Sequence, residues 1–281
     1  TADSNTAVGY NSLRVNTTGT RNTAVGAATL DANTTANDNT AFGFNAISAN
    51  TTGTRNTAVG SYALDAMTTG YNSTAVGHAA LTANTTANSN TAIGAFSMES
   101  NTTGAENAAL GEGSLLTNTT GANNVALGYL ALRYNTTASY NTAVGHSALT
   151  ANTTGEYNTA VGQIAMDALT TGNFNTAVGR NTLGSATTAS GSAAVGINAL
   201  MNITTGGYNT AMGDTAGQVL TDGTHNCYFG YACSPEAGDS GTIRTSLFGS
   251  NLTSTGNYAF GLGSNMTCAA GYTTLGQGTS D

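Results

Sequence analysis

An alanine recurs every 17 residues along this chain, from Ala7 through Ala24, Ala58 and Ala143 to Ala211, thirteen times without insertion or deletion. It is the centre of a pentad, Asn-Thr-Ala-Val-Gly or a close variant, that starts at Asn5, Asn22, Asn39 and Asn56 and onward. The glycine two places later is equally regular, at Gly9, Gly26, Gly60, Gly145 and on to Gly213. A period without slippage means that each copy occupies the same place in a stack. One short coil cannot bury its own apolar side chains, but identical neighbours can cover it. Seventeen residues is short for helical repeats, which run from the thirties upward, and no helical apolar spacing occurs within a copy. Thr and Val favour extended backbone. The invariant glycine marks a point of positive φ or close backbone approach. The predicted fold class is therefore all-β, a parallel β-solenoid or β-roll of stacked 17-residue coils, each with two short strands and two turns. Residues 1–230 are predicted to form the regular shaft. Residues 231–281, where pentad-like copies recur at irregular spacing, are predicted to form a C-terminal cap or tip.

Strand alternation assigns the pentad's faces: Thr and Val on one, Asn and Ala on the other. The Val position holds Val8, Val25, Phe42, Val59, Ile93, Leu110, Leu127 and Met212. It is always apolar and varies in size, which predicts the coil's core. The constant Ala predicts a narrow core or close contact with a neighbouring chain. A second strand is expected around Leu13, Leu30, Ile47 and their copies. Three residues later stand Asn16, Asn33 and Asn50, a slot that Met67, Leu169, Ala186 and Ile203 also occupy. A slot that trades Asn for Leu or Ile is at least partly buried, and stacked Asn there would form a hydrogen-bonded ladder. Charged residues of the regular coils gather at four positions, typified by Glu112, Arg14, Glu156 and Arg21. Unpaired charge is rarely buried, so these positions are expected at the surface.

Composition narrows the function. Only 7% of residues are charged, and Pro occurs once, unlike a disordered chain. Glycine is not at every third place, which excludes collagen. The net charge is −8 and the arginines do not cluster, so no nucleic-acid partner is expected. No apolar run of about 18 residues predicts membrane insertion as a helix. No catalytic, metal or cofactor site is predicted. His225, Cys227 and Cys233 fall short of four zinc ligands, and no convergent acid–base set appears. His78 and His146 follow the invariant glycine and read as solvated. The odd cysteine count, Cys227, Cys233 and Cys268, leaves open a Cys227–Cys233 or Cys233–Cys268 disulfide or free buried thiols. Asn16, Asn33, Asn50 and their copies match the N-glycosylation pattern, but the slot's burial favours a structural role. Rows of Thr raise an ice-binding solenoid. Adjacent Thr in extended backbone would point to opposite sides, however, giving no flat Thr face. With no initiator Met or signal peptide, a processed product or a fragment is expected.

Each coil buries few large side chains, about 1.5–3 kcal/mol apiece, against about 1–2 kcal/mol of backbone ordering per residue. A second buried surface would help, and the Ala face is the predicted site of homotrimer packing. The pentads, including NTAIG at Asn90 and NVALG at Asn124, resemble the SVAIG pentad of trimeric autotransporter adhesin heads. The whole unit resembles more closely the tandem arrays of phage tail fibres and other viral structural proteins. The resemblance covers residues 5–230, with a longer period and Asn in place of Ser. It implies a homotrimeric fibre at the virion surface, extracellular, presenting a surface to a host glycan or protein. The alternative is a bacterial adhesin head. Exposed aromatics suit binding surfaces, so Tyr228, Tyr231, Phe248, Tyr258 and Tyr272 are the candidate receptor contacts. Ser280-Asp281 resembles the junction that precedes a self-cleaving intramolecular chaperone in such fibres.

Overall fold

The computed structural model describes residues 2–238 and 241–277, so the Ser280-Asp281 pair lies outside the described residues. Among those described there is no helix, and every paired strand is parallel. The chain forms two compact units, 1–140 and 141–281. Each is a parallel β-solenoid.

The first unit carries eight three-residue strands, from β1 (Thr6–Val8) to β8 (Val125–Leu127). Each pairs with its neighbour in unbroken register: Ala7 lies beside Ala24, and Ala109 beside Ala126. The second unit continues with three-residue strands from β9 (Thr142–Val144) to β14 (Cys227–Phe229). After Gly230 the strands change. β15 (Ser234–Pro235) is short, whereas β16 (Ser246–Ser254) and β17 (Phe260–Cys268) span nine residues each, and β18 (Thr273–Gln277) closes the series. β16 pairs with both β14 and β15, so one long strand covers two separate stretches of the preceding coil.

Each regular coil has one strand where the sequence suggested two. The expected second strand is a run of corners. Ala28, Leu30 and Asp38 have φ of 54°, 49° and 62°, and their counterparts in other coils repeat these angles. A left-handed non-glycine residue costs about 1–2 kcal/mol. Neighbouring coils offset this by holding the amides: Ala28 N–H donates to Tyr10 O at 2.8 Å, Leu30 N–H to Ala46 O at 3.1 Å and Asp38 N–H to Thr20 O at 3.1 Å. These corners swing the Leu side chains inward, where Leu30, Leu64, Leu81 and Leu149 are fully buried. At Gly60, with φ of 139°, an added Cβ would collide with the carbonyl oxygen of Gly77 in the next coil. The invariant glycine thus sets the distance between coils.

The two faces of the pentad are the reverse of the expected core. From Ala24 to Ala211 the central alanines are buried, and the Val position lies at the surface. Val59 is 40% exposed, Leu110 51% and Met212 46%. The Ala face therefore has no surface to give to a partner chain, which corrects the expected packing of a trimer along it. The interior is occupied by Leu30, Asn33 and Asn39 and their copies, and the strand wall admits only a methyl group.

Asparagine fills the polar part of this interior. The predicted ladder is present: Asn33 Nδ2 donates to Asn16 Oδ1 at 3.0 Å, Asn50 to Asn33 at 3.0 Å and Asn118 to Asn101 at 2.7 Å. The same amide groups bond a carbonyl three residues on, as Asn50 does with Gly53 at 3.0 Å. Along Asn16–Asn33–Asn50 and Asn84–Asn101–Asn118–Asn135 the stacked amides bond to one another, as burial favours, and these nitrogens are turned to the interior rather than outward for a sugar. Met67, Leu169 and Ile203 take the slot with full burial. A second ladder was not foreseen. The first Asn of each pentad accepts the next coil's amide N–H, Asn39 N–H to Asn22 Oδ1 at 3.0 Å, and donates to a carbonyl 14 residues on, Asn39 Nδ2 to Gly53 O at 2.8 Å.

Candidate interaction surfaces

The coils' outward positions include the strand's Val place, residues after the invariant glycine, and the last residues before the next pentad. In the first unit the Val place forms a row of Val25, Phe42, Val59, Val76, Ile93, Leu110 and Leu127, stacked in parallel register. In the second unit the row runs through Val178, Val195 and Met212 to Phe229, Phe248 and Leu262. Exposed apolar area of this continuity makes the row a candidate interaction surface.

Two aromatic rows flank it. In the first unit Phe44, Tyr62, His78 and Phe96 alternate edge to face, with ring centroids 5.4, 6.1 and 5.2 Å apart. In the second unit the last coil position carries Tyr157 stacked on Phe174 at 5.2 Å and Tyr208 on His225 at 5.1 Å. Each such pair adds about 0.5–1.5 kcal/mol to coil stacking. In the first unit that same position holds charge: Arg21 Nε meets Asp38 Oδ1 at 2.6 Å. Its hydrogen bond and charge raise the Arg21 pKa and lower that of Asp38. Arg14 and Asp31 form a like pair at 2.7 Å, which raises the Arg14 pKa. All four expected charge positions avoid the core. Reading each seventeenth residue from Tyr157 would have disclosed the second aromatic row.

The candidate receptor contacts do not form one set. Tyr228 is fully buried and its hydroxyl lies 3.1 Å from Thr242 Oγ1. Burial raises its pKa. It cannot meet a receptor, which corrects its assignment: it stands in the Ala slot, beside Ala211. Phe248 is half-buried between Phe229 at 5.6 Å and Phe260 at 5.9 Å. Tyr231, Tyr258 and Tyr272 are exposed, the last at 70%. The guanidinium of Arg244 sits 5.9 Å from the Tyr258 ring centre.

All three cysteines are free thiols, so neither candidate disulfide is formed. Cys227 sits half-exposed in the Thr place of its strand, whereas Cys233 and Cys268 are buried. Cys233 Sγ donates to Gly249 O at 3.2 Å, as Thr29 Oγ1 donates to Gly43 O at 2.8 Å in a regular coil. The thiol has replaced a hydroxyl in a structural bond. Burial raises the pKa of all three thiols.

Among the described residues no group of three or more His, Cys, Asp or Glu is placed to hold a metal ion. Among the described residues no helix is long and apolar enough to cross a membrane. An open hollow is lined by Gly238, Gly241, Thr242, Gly256 and Asn257, none of these described residues titratable. Comparison with family models and with curated proteins gives no match.

Proposed function

We propose that this chain is a non-catalytic structural segment of a fibre at a virion surface, resembling a phage tail fibre, and that it works as a homotrimer outside the cell. The observation that carries this reading is the exposed apolar row at the Val place. All eight coils of the first unit, from Val8 to Leu127, keep an apolar residue there, although the side chains stand at or near the surface. A row that is apolar in each coil, straight in register and unneeded by the coil's own core is suited to covering by another copy of itself. Three copies packed along it would supply the second buried surface that a thin core lacks. Tyr231, Tyr258 and Tyr272 in the C-terminal section would then remain to meet a host glycan or protein. A bacterial adhesin head is the second reading, supported by the same row and the same pentads.

Sedimentation equilibrium of the folded chain tests this. A mass three times the chain's 27.9 kDa is expected. The double substitution Ile93→Lys, Leu110→Lys should lower it to that of one chain while the circular dichroism stays unchanged. A folded native chain that sediments as a monomer would overturn the trimeric fibre.

A further inference from the structure

Twelve of the thirteen regular coils carry two adjacent threonines after the Asn slot, in two columns; the thirteenth has Asp222 at the outer place. The inner column is Thr17, Thr34, Thr51 and their copies; the outer is Thr18, Thr35, Thr52 and theirs. The outer column runs unbroken through eight coils of the first unit to Thr137, and through four of the second, Thr154 to Thr205. The pair was expected to split across a strand. It lies instead in a bend, with the inner threonine half-buried from Thr34 onward and the outer one exposed in every coil.

The fold accounts for the inner hydroxyls. Thr51 Oγ1 donates to Thr68 O at 3.1 Å, Thr102 to Thr119 O at 2.9 Å and Thr170 to Thr187 O at 3.0 Å. It does not account for the outer ones. Among the described residues none of their hydroxyls bonds within the protein, so all point their hydrogen-bonding capacity at solvent. Other exposed places drift freely: the one after the invariant glycine holds Tyr10, Ala27, Phe44, Ser61, His78 and Glu112. Exposure alone therefore does not demand threonine.

We infer that the outer threonine column binds ice. Parallel neighbours stand about 4.7–4.9 Å apart. One water spans that gap with two hydrogen bonds of about 2.8 Å. A column of hydroxyls on a rigid backbone thus holds a row of waters at the coil spacing, with a methyl group beside each hydroxyl and no charge among them. A ligand of finite length would engage a few coils and leave the others free to vary. A lattice engages all of them. The column and the apolar Val row are different places on the coil, so this activity is independent of the fibre reading.

The test uses the full chain, measuring thermal hysteresis and the faceting of a single ice crystal. The native protein is expected to give both. Thr52→Tyr, Thr69→Tyr, Thr86→Tyr together should cut the hysteresis at least tenfold. Asn72→Tyr, Ser89→Tyr, Glu106→Tyr, at the place where the second unit has tyrosine, should leave it unchanged; circular dichroism verifies folding of both. No hysteresis from the folded native chain, or undiminished hysteresis in the threonine variant, would overturn the inference. So would binding to insoluble polysaccharide without hysteresis.

Discussion

Gly217 lies against the ring of Tyr228: a Cβ added at the glycine would stand 2.9 Å from Tyr228 Cδ2. Gly217 occupies the Leu slot of its coil, and Tyr228 the Ala slot of the next. The two slots therefore share one interior, and a large residue in one requires a small residue in the other. This exchange of volume marks where the regular coils give way to the longer strands.

Tyr228→Ala should destabilise the fold by about 3–5 kcal/mol through the cavity it leaves. Gly217→Leu should cost at least about 1–3 kcal/mol by overpacking. It also puts a side chain at φ of 66°, as Leu tolerates in the regular coils. The double variant recreates the regular pairing and should recover most of both losses. Urea denaturation of the four proteins measures the coupling; strict additivity would show that the slots are independent.

The Asn ladder makes a polar prediction with an unusual sign. Asn118→Asp removes the Nδ2 donor to Asn101 Oδ1 and Gly121 O and buries a carboxylate. A loss of at least about 2–3 kcal/mol is expected at neutral pH. Asn118→Leu copies what Leu169 does in the same slot, and should cost about 1–3 kcal/mol, because Asn101 and Asn135 lose one partner each. Thermal midpoints at pH 7 should rank wild type, then Leu, then Asp.

Core and surface within one strand should respond oppositely to size. Ala92→Leu forces a large side chain into a fully buried position and should cost more than about 3 kcal/mol, or prevent folding. Ile93→Ala at the neighbouring surface place should change the stability of the isolated chain by about 0.5 kcal/mol or less. Equal losses at the two sites, measured in denaturant at concentrations where chains do not associate, would contradict the assignment of faces.

Alkaline pH should weaken the second unit. Burial raises the folded-state pKa of Cys227, Cys233 and Cys268, so the folded protein holds protons that the unfolded chain releases. The stability gained is complete below the unfolded thiol pKa, about 8.5, and is lost as pH rises through the folded values. The melting temperature should be level to about pH 8 and fall above it. Cys233→Ser, whose hydroxyl can keep the bond to Gly249 O, should flatten that fall.

The period, the parallel stack, the Asn16–Asn33–Asn50 ladder and the surface places of Arg14, Arg21, Glu112 and Glu156 could all be read from the residues. Each rests on repetition: identical residues 17 apart meet identical surroundings, whatever the path between them. Tertiary structure alone decided that path. Alternation predicts faces only in extended chain, and the Leu run of each coil turns through left-handed corners, as at Ala28 and Leu30, so it was misread as a strand. Hydropathy ranks Val above Ala for a core. Here the closure of 17 residues leaves a space that Leu, Asn and a methyl group already fill, and volume determines that Ala24 goes inside and Val25 out. The same geometry turned Tyr228 inward and left only the outer threonine of each pair exposed. Local pattern supplied the repeat; the width of the closed coil chose which side of it meets the world.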